Sequence, residues 1–571
     1  MPAFTSDSVR VSNRLLGEAI DVVDRSGLSD WCSARFQANL GDYRGGAQAQ
    51  FTWRHLLIGL CVVACSEQPM ILRDVVRTLN SLTPVQKKRI GCPAAVTERM
   101  VSRRYNALAQ LMDASDYSER NRRFIAALTA EHPDDWQQRW DAEKVRREAA
   151  LQHFLTRLVS GSIPDAAPDS GCYAIDATGV PSRASQRKKW TNKDAASDPD
   201  AAWRAHNSTK VPYGTKSGAT RFGGKSWYGY WGHILARIPA MTAHKDGRIE
   251  FSDTPMFIAA LDVTAADSDM ATEAARLLDR TVAAQHAQAG TGGPPAPTPA
   301  DIVIDRAYSH GYERFLEPAA AAGFTCHFDL RQDQRGLSGS VRGMLIIDGQ
   351  PYSPALPATL HTINPPKFPG ATRADIAAWS AQVARRAPYA IRLRRRDRAT
   401  GEFHWSCPAA RDFTAARCGR KPESVLLPAT VPTFAPGQVS TSPDICTMQR
   451  LKVPAEGIPL WQPHQYGSAA WWASMARRAR VEGAFGTLKD EATQCLRRGN
   501  LRVMGRAKTA IMAAFLVAAV NIRLARKLTA TSAHPTAAPI ARGPRPRTVR
   551  LAAIRAARQA AAQAGLAAAS P

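Results

Sequence analysis

Apolar side chains recur every three to four residues through roughly the first 160 residues, a spacing typical of amphipathic helices. The pattern predicts helices over residues 9–23, 53–65, 71–79, 96–112 and 145–158. Thr97 stands directly before one of these apolar runs, where a helix N-cap is expected. Residues 1–165 are therefore predicted to form a helical domain.

The helices predicted over 71–79 and 96–112 follow one another closely, and the second is rich in basic residues. Its polar side chains include Arg99, Arg103, Arg104 and Asn106. Such a pair could be a helix-turn-helix that places a basic helix in the major groove of DNA. The alternative is a helical bundle with a solvated basic face. Arg103 and Arg104 are the candidate DNA contacts of a domain for DNA binding or dimerisation.

Short apolar runs replace the helical periodicity after Gly171. They predict strands, separated by two helices, over residues 172–178, 227–238, 256–263, 301–305 and 324–330. The helices fall at 270–286 and 311–322, after the third and fourth strands. This order describes an RNase H-like α/β core with a mixed sheet, assigned to residues 166–334 and 466–530.

Residues 335–465 interrupt this core and are predicted to be a mostly β insertion. Strand-like segments fall at 389–394, 403–407 and 425–427, with one helix near 376–385. Asp348-Gly349 is a hairpin signal. The last residues, 531–571, are rich in Ala, Pro and Arg and lack acidic residues, which predicts a disordered basic tail with a short helix at 549–562.

The charge balance favours a polyanionic partner. Lys and Arg number 75 against 49 Asp and Glu, a formal net charge of +26. Double-stranded DNA is the expected partner, although an Arg- and Ala-rich composition also fits a high-GC codon bias. Neither a secretory signal nor a membrane span is expected, because residues 1–10 carry no apolar stretch and the apolar run 511–520 is too short to span a bilayer. A membrane-surface protein is disfavoured by the acids expected to be buried and by the lack of an amphipathic basic anchor near a terminus. A cytoplasmic, nucleoid-associated protein is expected.

The ten cysteines include no CxxC pair, so neither a disulfide framework nor a standard zinc finger is indicated. Cys407, Cys418 and Cys446, with His404, could bind zinc, but their spacing matches no usual zinc pattern.

Three carboxylates are distinguished by their positions. Asp176 ends the first predicted strand, Asp305 ends the fourth, and Glu482 lies on a helix beyond the insertion. The first and fourth strands are neighbours in such a core, so these acids are expected to meet. Close carboxylates repel one another unless cations neutralise them. Two Mg²⁺ or Mn²⁺ ions are the expected cofactors. A single Asp at a strand end is common, so the prediction depends on all three.

The segment around Glu482 carries a longer pattern, Met475-x2-Arg478-x3-Glu482-x6-Lys489. It resembles the tyrosine–arginine–glutamate–lysine signature of DDE-type insertion-sequence transposases, with Met475 in the tyrosine position. Arg478 and Glu482 share one helix face, and Lys489 lies two turns further on. The resemblance implies that Asp176, Asp305 and Glu482 are catalytic metal ligands, and that Arg478 and Lys489 bind DNA phosphates.

Further segments resemble the same family, namely 176–179, 197–203, 225–233, 261–269 and 302–308. The family implies metal-dependent cleavage at transposon ends, strand transfer by a cut-and-paste mechanism and a homodimer on DNA. Trp471 and Trp472 could stack on an unpaired base, or could pack in the core. Two alternatives to a transposase remain: an inactive, transposase-derived DNA-binding regulator, and an RNase H-like nuclease without strand transfer.

Overall fold

The computed structural model describes residues 10–40, 50–66, 69–184, 197–213, 221–244, 246–290, 295–367, 370–397, 401–410, 416–434, 443–490, 496 and 500–533. Residues Met1–Leu524 form one compact unit, and Ala525–Pro571 form a second. Within the second unit, residues 525–533 are helical. The short helix predicted at 549–562 and most of the predicted tail lie outside the described residues.

The N-terminal region is helical, as the apolar periodicity predicts. Its helices are α1 (Asn13–Ser26), α2 (Leu28–Leu40), α3 (Trp53–Cys65), α4 (Leu72–Ser81), α5 (Pro84–Ile90), α6 (Glu98–Gln110), α7 (Glu119–Glu131) and α8 (Trp136–Gly161). Thr97 caps α6, because its side chain accepts a hydrogen bond from the Met100 amide. The periodicity does not predict α2, α5 or α7.

Helix α5 lies between the two helices of the predicted helix-turn-helix. Thr83 and Gln86 form a capping box around its first turn, and Pro84 occupies the first helical position. Gly91 ends the helix with a φ of 70°, a left-handed conformation that glycine adopts without strain. Helices α4 and α6 are therefore connected through a third helix rather than by one short turn.

A mixed β-sheet forms the centre of the first unit. Its region contains β1 (Tyr173–Pro181), β2 (Ala202–Tyr213), β3 (Arg221–Arg237), β4 (Met241–Ala243), β5 (Ile249–Phe251), β6 (Ile258–Ala265), β7 (Asp301–Ile304) and β8 (Thr325–Phe328). The order is β2-β3-β1-β7-β8, with β6 also paired to β3. Strands β1, β2 and β6 run antiparallel to β3, whereas β1, β7 and β8 are parallel. The predicted adjacency of the first and fourth core strands is confirmed.

Both faces of this sheet are covered, which explains why its strands read as continuous apolar runs. In β1, Ala174 packs into the cluster formed with the N-terminal helices, while Tyr173 and Ile175 pack into the cluster on the opposite face. The opposite face is covered in part by α9 (Met270–Gly290) and α10 (Leu316–Ala321). The sheet is thus held between two helical layers.

Residues 335–465 form short strands around a separate apolar cluster. The elements are β9 (Leu337–Val341), β10 (Met344–Ile347), β11 (Gln350–Tyr352), α11 (Arg373–Ala384), β12 (Arg392–Arg396), β13 (Glu402–Ser406), β14 (Arg417–Cys418), β15 (Thr433–Phe434), α12 (Asp444–Thr447) and β16 (Leu451–Pro454). Asp348 and Gly349 turn between β10 and β11, as predicted. The strand predicted at 425–427 is wrong, because Pro422–Leu426 is a 3₁₀ turn.

Helices α13 (Ala469–Ala476), α14 (Ala479–Lys489) and α15 (Arg506–Ala533) return the chain to the sheet. Arg506–Thr529 is long and apolar enough to cross a membrane, but 83% of its most apolar window is buried inside the protein. Residues 511–520 are buried, as the sequence predicts for a core helix.

Candidate active site

Asp176 and Asp305 meet because β1 and β7 are parallel neighbours. Tyr173 pairs with Ile302 and Ala174 with Val303. The same register continued places Asp176 beside Asp305, the residue just past the end of β7; Asp176 itself lies within β1, which extends to Pro181 beyond the strand end predicted at Asp176. Each carboxylate accepts a hydrogen bond from the next backbone amide, at 2.8 Å from Ala177 and 2.7 Å from Arg306. These bonds fix the orientation of both carboxylates.

Helix α14 brings Glu482 to the same place. Its buried side chains are Val481, Ala484, Phe485 and Leu488. This spacing gives the helix one apolar face, which packs against β1 and β3. Glu482 lies on the exposed flank, with 57% of its side chain accessible. The sequence resemblance identifies this acid as a candidate, and the packing of α14 places it at the edge of the sheet.

Arg478, the residue before α14, links the three carboxylates. One guanidinium nitrogen donates to Asp176 Oδ2 at 3.1 Å and lies 3.6 Å from Asp305 Oδ2. Another nitrogen donates to Glu482 Oε1 at 2.7 Å. The three predicted acids and the predicted arginine therefore form one cluster, with a single positive charge among three negative charges.

The charge imbalance appears in the pKa of Asp176. The pKa of Asp176 is raised from 3.8 to about 6: burial is the largest cause and the charges of Asp305 and Glu482 add to it, while Arg478 and the Ala177 amide oppose them. Burial and a surplus of negative charge are typical of functional carboxylates. The cluster favours any additional cation that can approach it.

The donor set fits a hard divalent cation in its chemistry, because carboxylate oxygens are the ligands that Mg²⁺ and Mn²⁺ prefer. In the present arrangement Arg478 supplies the positive charge. Among the described residues, no group of three His, Cys, Asp or Glu side chains is gathered closely enough to hold a metal ion. The candidate zinc ligands Cys407, Cys418 and Cys446 are included in this finding. They lie in or against the apolar core of the insertion.

A groove of about 1380 Å³ begins at this cluster and runs toward the insertion. Asp305 and Arg478 line one end, and residues 362–367 of the insertion line another part. This volume exceeds the range of about 300–1,000 Å³ that is common for small-ligand pockets. The groove is therefore large enough for part of a polymer.

Both tryptophans line the groove, but they differ in how deeply they are buried. Trp471 is buried, and its indole nitrogen donates to the Phe328 carbonyl at 3.2 Å, so its ring packs in the core. Trp472 is only half-buried and also lines the groove, with its ring packed 4.9 Å from that of Trp471. Met475 lines the groove as well, in the position where the resembling family has tyrosine.

Lys489 is the last residue of α14, and its side chain is accessible to solvent. It lies close enough to Asp176 for the two charges to interact. Partial burial lowers the pKa of Lys489, and the Asp176 carboxylate opposes that change. Arg306 and Lys367 are further exposed cations that line the groove. Neither residue is predicted from the sequence, because nothing in the local sequence of either shows that both line the same groove.

A buried ion pair beside the cluster, between Arg477 and Asp301, was also not predicted from the sequence. Arg477, only 1% exposed, donates to Asp301 Oδ2 at 2.8 Å and to Ser474 Oγ at 2.7 Å. His327 lies 3.1 Å from the other oxygen of Asp301. These contacts tie the junction of α13 and α14 to β7 and β8, and thereby set the position of Arg478.

The two arginines selected on α6 have different surroundings. Arg104 donates two hydrogen bonds to the Phe51 carbonyl and stacks over the Trp53 ring at 4.4 Å, so it holds α6 against α3. Arg103 is exposed, on the same side of the helix as the exposed Arg99 and Asn106. Only Arg103 of the selected pair lies on an open face of the helix.

Comparison of the chain with protein-family models, with curated proteins and with solved structures finds no match.

Proposed function

We propose that this protein is a DNA transposase of the DDE type, which cuts DNA at the ends of its element and joins those ends to target DNA. The convergence of Asp176, Asp305 and Glu482 carries the proposal, because residues separated by up to 306 positions meet as the motif resemblance requires. Their common partner, Arg478, is the arginine of the same motif.

The sheet order supports an RNase H-like core for this function. Three antiparallel strands, β6-β3-β1, continue into the parallel strands β7 and β8. The carboxylates lie where the first and fourth core strands adjoin, which is the arrangement inferred for such a core from the sequence. β2 pairs with the first part of β3, ahead of the part that pairs with β1 and β6, and so extends the sheet beyond this core.

Asp176, Asp305 and Glu482 are the residues that would hold two Mg²⁺ or Mn²⁺ ions, and they would have to draw closer together to do so, since Arg478 now lies between them. When bound, such ions activate an attacking oxygen and stabilise the leaving oxygen at phosphorus. Arg478 would then exchange its carboxylate contacts for DNA phosphate, Lys489 would add a phosphate contact beside the carboxylates, and Arg306 and Lys367 would add contacts along the groove. Trp472 offers a half-buried ring on which a base can stack.

Helix α6 is the proposed DNA-reading helix of the N-terminal region, with Arg103 as its central contact. Arg99, Arg103 and Asn106 are spaced four and three residues apart, so they form one exposed stripe. Side chains of this type read base edges and phosphates in the major groove. A homodimer on two transposon ends, located at the nucleoid, follows from this function.

The decisive test is cleavage of DNA that carries the element's own ends, in Mg²⁺ or Mn²⁺. The intact protein is compared with Glu482→Gln, which keeps the shape of the side chain and removes one carboxylate. Glu250→Gln, on the β5 strand away from the cluster, is the matched control. We expect the intact protein and the control to cut and join DNA, and Glu482→Gln to bind DNA without cutting it.

Other outcomes lead to different functions. Equal cleavage by Glu482→Gln and intact protein would remove Glu482 from the site. Binding without cleavage by the intact protein would favour a DNA-binding regulator derived from a transposase. Cleavage without joining would favour a nuclease that performs no strand transfer.

A further inference from the structure

Arg478 contacts all three carboxylates of the candidate active site. One nitrogen of its guanidinium lies 3.1 Å from Asp176 Oδ2 and 3.6 Å from Asp305 Oδ2, and another lies 2.7 Å from Glu482 Oε1. A guanidinium is planar, always charged and carries five N–H donors, so one side chain can bond several carboxylates at once. Arg478 is therefore an internal counter-ion of the whole cluster.

These contacts compete with a metal ion. The oxygens that accept from Arg478 belong to the same carboxylates that would coordinate Mg²⁺ or Mn²⁺. A divalent ion placed beside the guanidinium would also meet the repulsion of a like charge. Arg478 and a metal ion therefore oppose each other at this cluster, although the carboxylates need one of them because they repel one another.

The backbone of Arg478 is held in place, but its guanidinium can be reached from the groove. Its backbone amide donates to the Met475 carbonyl at 3.0 Å, and the preceding residue, Arg477, is bonded to Asp301. Arg478 nevertheless lines the groove together with Asp305, and 20% of its side chain is exposed. The end of the side chain is thus open to a new partner that enters the groove.

A phosphate of bound DNA is a partner of suitable chemistry. Phosphate oxygens accept a bidentate pair of hydrogen bonds from a guanidinium, as carboxylates do. The groove also carries the exposed cations Arg306 and Lys367, which favour a polyanion. DNA in the groove therefore offers Arg478 an anion that can replace the carboxylates.

We propose that Arg478 couples the two ligands of this site: without DNA it occupies the carboxylates and opposes metal binding, and DNA phosphate draws it away and opens them to Mg²⁺ or Mn²⁺. The proposal rests on the proposed function and adds an order of events, in which metal binding follows DNA binding. Because coupling between two ligands is reciprocal, the metal should tighten DNA binding by the same factor as DNA tightens metal binding.

The first test is the affinity for Mn²⁺ without DNA, measured from the electron paramagnetic resonance signal of free Mn²⁺. Arg478→Met removes the guanidinium and keeps an unbranched side chain. We expect this variant to bind Mn²⁺ about 10- to 100-fold more tightly than the intact protein, the factor that one hydrogen bond to a charged group contributes.

Arg480→Met is the matched control for the loss of one positive charge. Arg480 is also on α14, but it is exposed and lies two residues beyond Arg478, on another side of the helix. Its replacement should leave the Mn²⁺ affinity equal to that of the intact protein. Arg478→Lys should fall between Arg478→Met and the intact protein, because one ammonium cannot bond the carboxylates as a planar guanidinium does.

The second test requires no variant. The Mn²⁺ affinity of the intact protein is measured with and without a duplex already cut at the element's end, so that no bond is left to cleave. We expect the duplex to tighten Mn²⁺ binding by the intact protein. It should do so by a smaller factor in Arg478→Met, since that variant has no guanidinium to displace.

Unchanged, weaker or absent Mn²⁺ binding by Arg478→Met would overturn the proposal, because Arg478 would then not compete with the metal. An equal rise in Arg480→Met would also overturn it, since the rise would reflect net charge alone. If Arg478→Met does not fold, Arg478→Lys and the effect of DNA on the intact protein decide, and no change in either rejects the proposal. If the intact protein binds end DNA without cleaving it, the proposed function fails, while tighter DNA-free binding of Mn²⁺ by Arg478→Met still supports the competition.

Discussion

Two clusters of acidic and basic side chains lie at opposite ends of β7, and they differ in how their charges are balanced. At the start of the strand, Asp301 contacts both Arg477 and His327, and Arg477 is almost completely buried. Just past the end of the strand, Asp305 shares the single guanidinium of Arg478 with two other carboxylates. Arg477 and Arg478 are thus adjacent in the sequence but pair with different clusters. The charge of Asp301 is balanced by its partners, whereas the cluster around Arg478 has more negative than positive charge.

The pKa values of the two clusters move in opposite directions. Burial raises the pKa of Asp301, but the hydrogen bond and charge of His327 and the charge of Arg477 outweigh it and hold the pKa well below its ordinary value. Burial dominates at Asp176, whose pKa rises to about 6. The first cluster stabilises the fold, whereas the second carries a surplus of negative charge that is costly to the fold.

The largest effect is expected from Arg477→Met, which leaves Asp301 without its main cation. Removing one partner of a buried ion pair costs about 3–5 kcal/mol, because the remaining charge is desolvated and unpaired. We expect a loss of this size in the free energy of unfolding, measured by urea denaturation at pH 7. Cleavage of end DNA should also slow at temperatures where the variant is folded, because Arg477 positions Arg478.

Arg386→Met provides the matched comparison. Arg386 is fully buried and bonded to Asp348 within the insertion, so its loss should destabilise the protein to a similar degree. It contacts no residue of the carboxylate cluster, and cleavage by the folded variant should be preserved. Equal slowing of cleavage in both variants would mean that Arg477 contributes stability alone.

A gain in stability is expected from Asp176→Asn. The folded-state pKa of Asp176 lies above its unfolded value, so the folded protein binds more protons between about pH 4 and 6, and stability falls as pH rises through that window. The interval from 3.8 to about 6 corresponds to about 3 kcal/mol at most. Asp176→Asn should therefore unfold at higher urea concentration than the intact protein at pH 7.5, and at similar concentration near pH 4.

Asp301→Asn should behave in the opposite way. The folded-state pKa of Asp301 is lowered, so its carboxylate stabilises the fold above pH 4, and the asparagine variant should be less stable at pH 7.5. If Asp176→Asn also loses stability at pH 7.5, Arg478 neutralises Asp176 fully and the contrast between the clusters disappears.

Much of this arrangement could be predicted because it depends on local patterns. The apolar runs give β1 and β7, their parallel pairing brings Asp176 beside Asp305, and helical periodicity places Arg478 and Glu482 on one face. The extra helix α5 was missed although Thr83, Pro84 and Gly91 signal its ends, because seven residues hold too little apolar periodicity.

The remainder depends on contacts between distant segments. The sequence Arg477-Arg478 does not show that Arg477 is the arginine buried against Asp301, since that depends on the break between α13 and α14. The strand predicted at 425–427 failed for a similar reason, because Pro422 starts a 3₁₀ turn and the Ser424 hydroxyl accepts a hydrogen bond from the Cys418 amide. Such contacts override the local strand propensity.

The smallest effect on stability is expected from Glu482→Gln. Glu482 is 57% exposed and forms an i,i+4 pair with Arg478, and such exposed pairs contribute about 0.3–0.5 kcal/mol. Its loss also removes a negative charge that raises the pKa of Asp176, which offsets part of that contribution. Urea unfolding should therefore differ from that of the intact protein by no more than about 0.5 kcal/mol. A loss above about 2 kcal/mol would mean that Glu482 belongs to the scaffold, like Asp301, and loss of cleavage in this variant would then no longer identify a catalytic carboxylate.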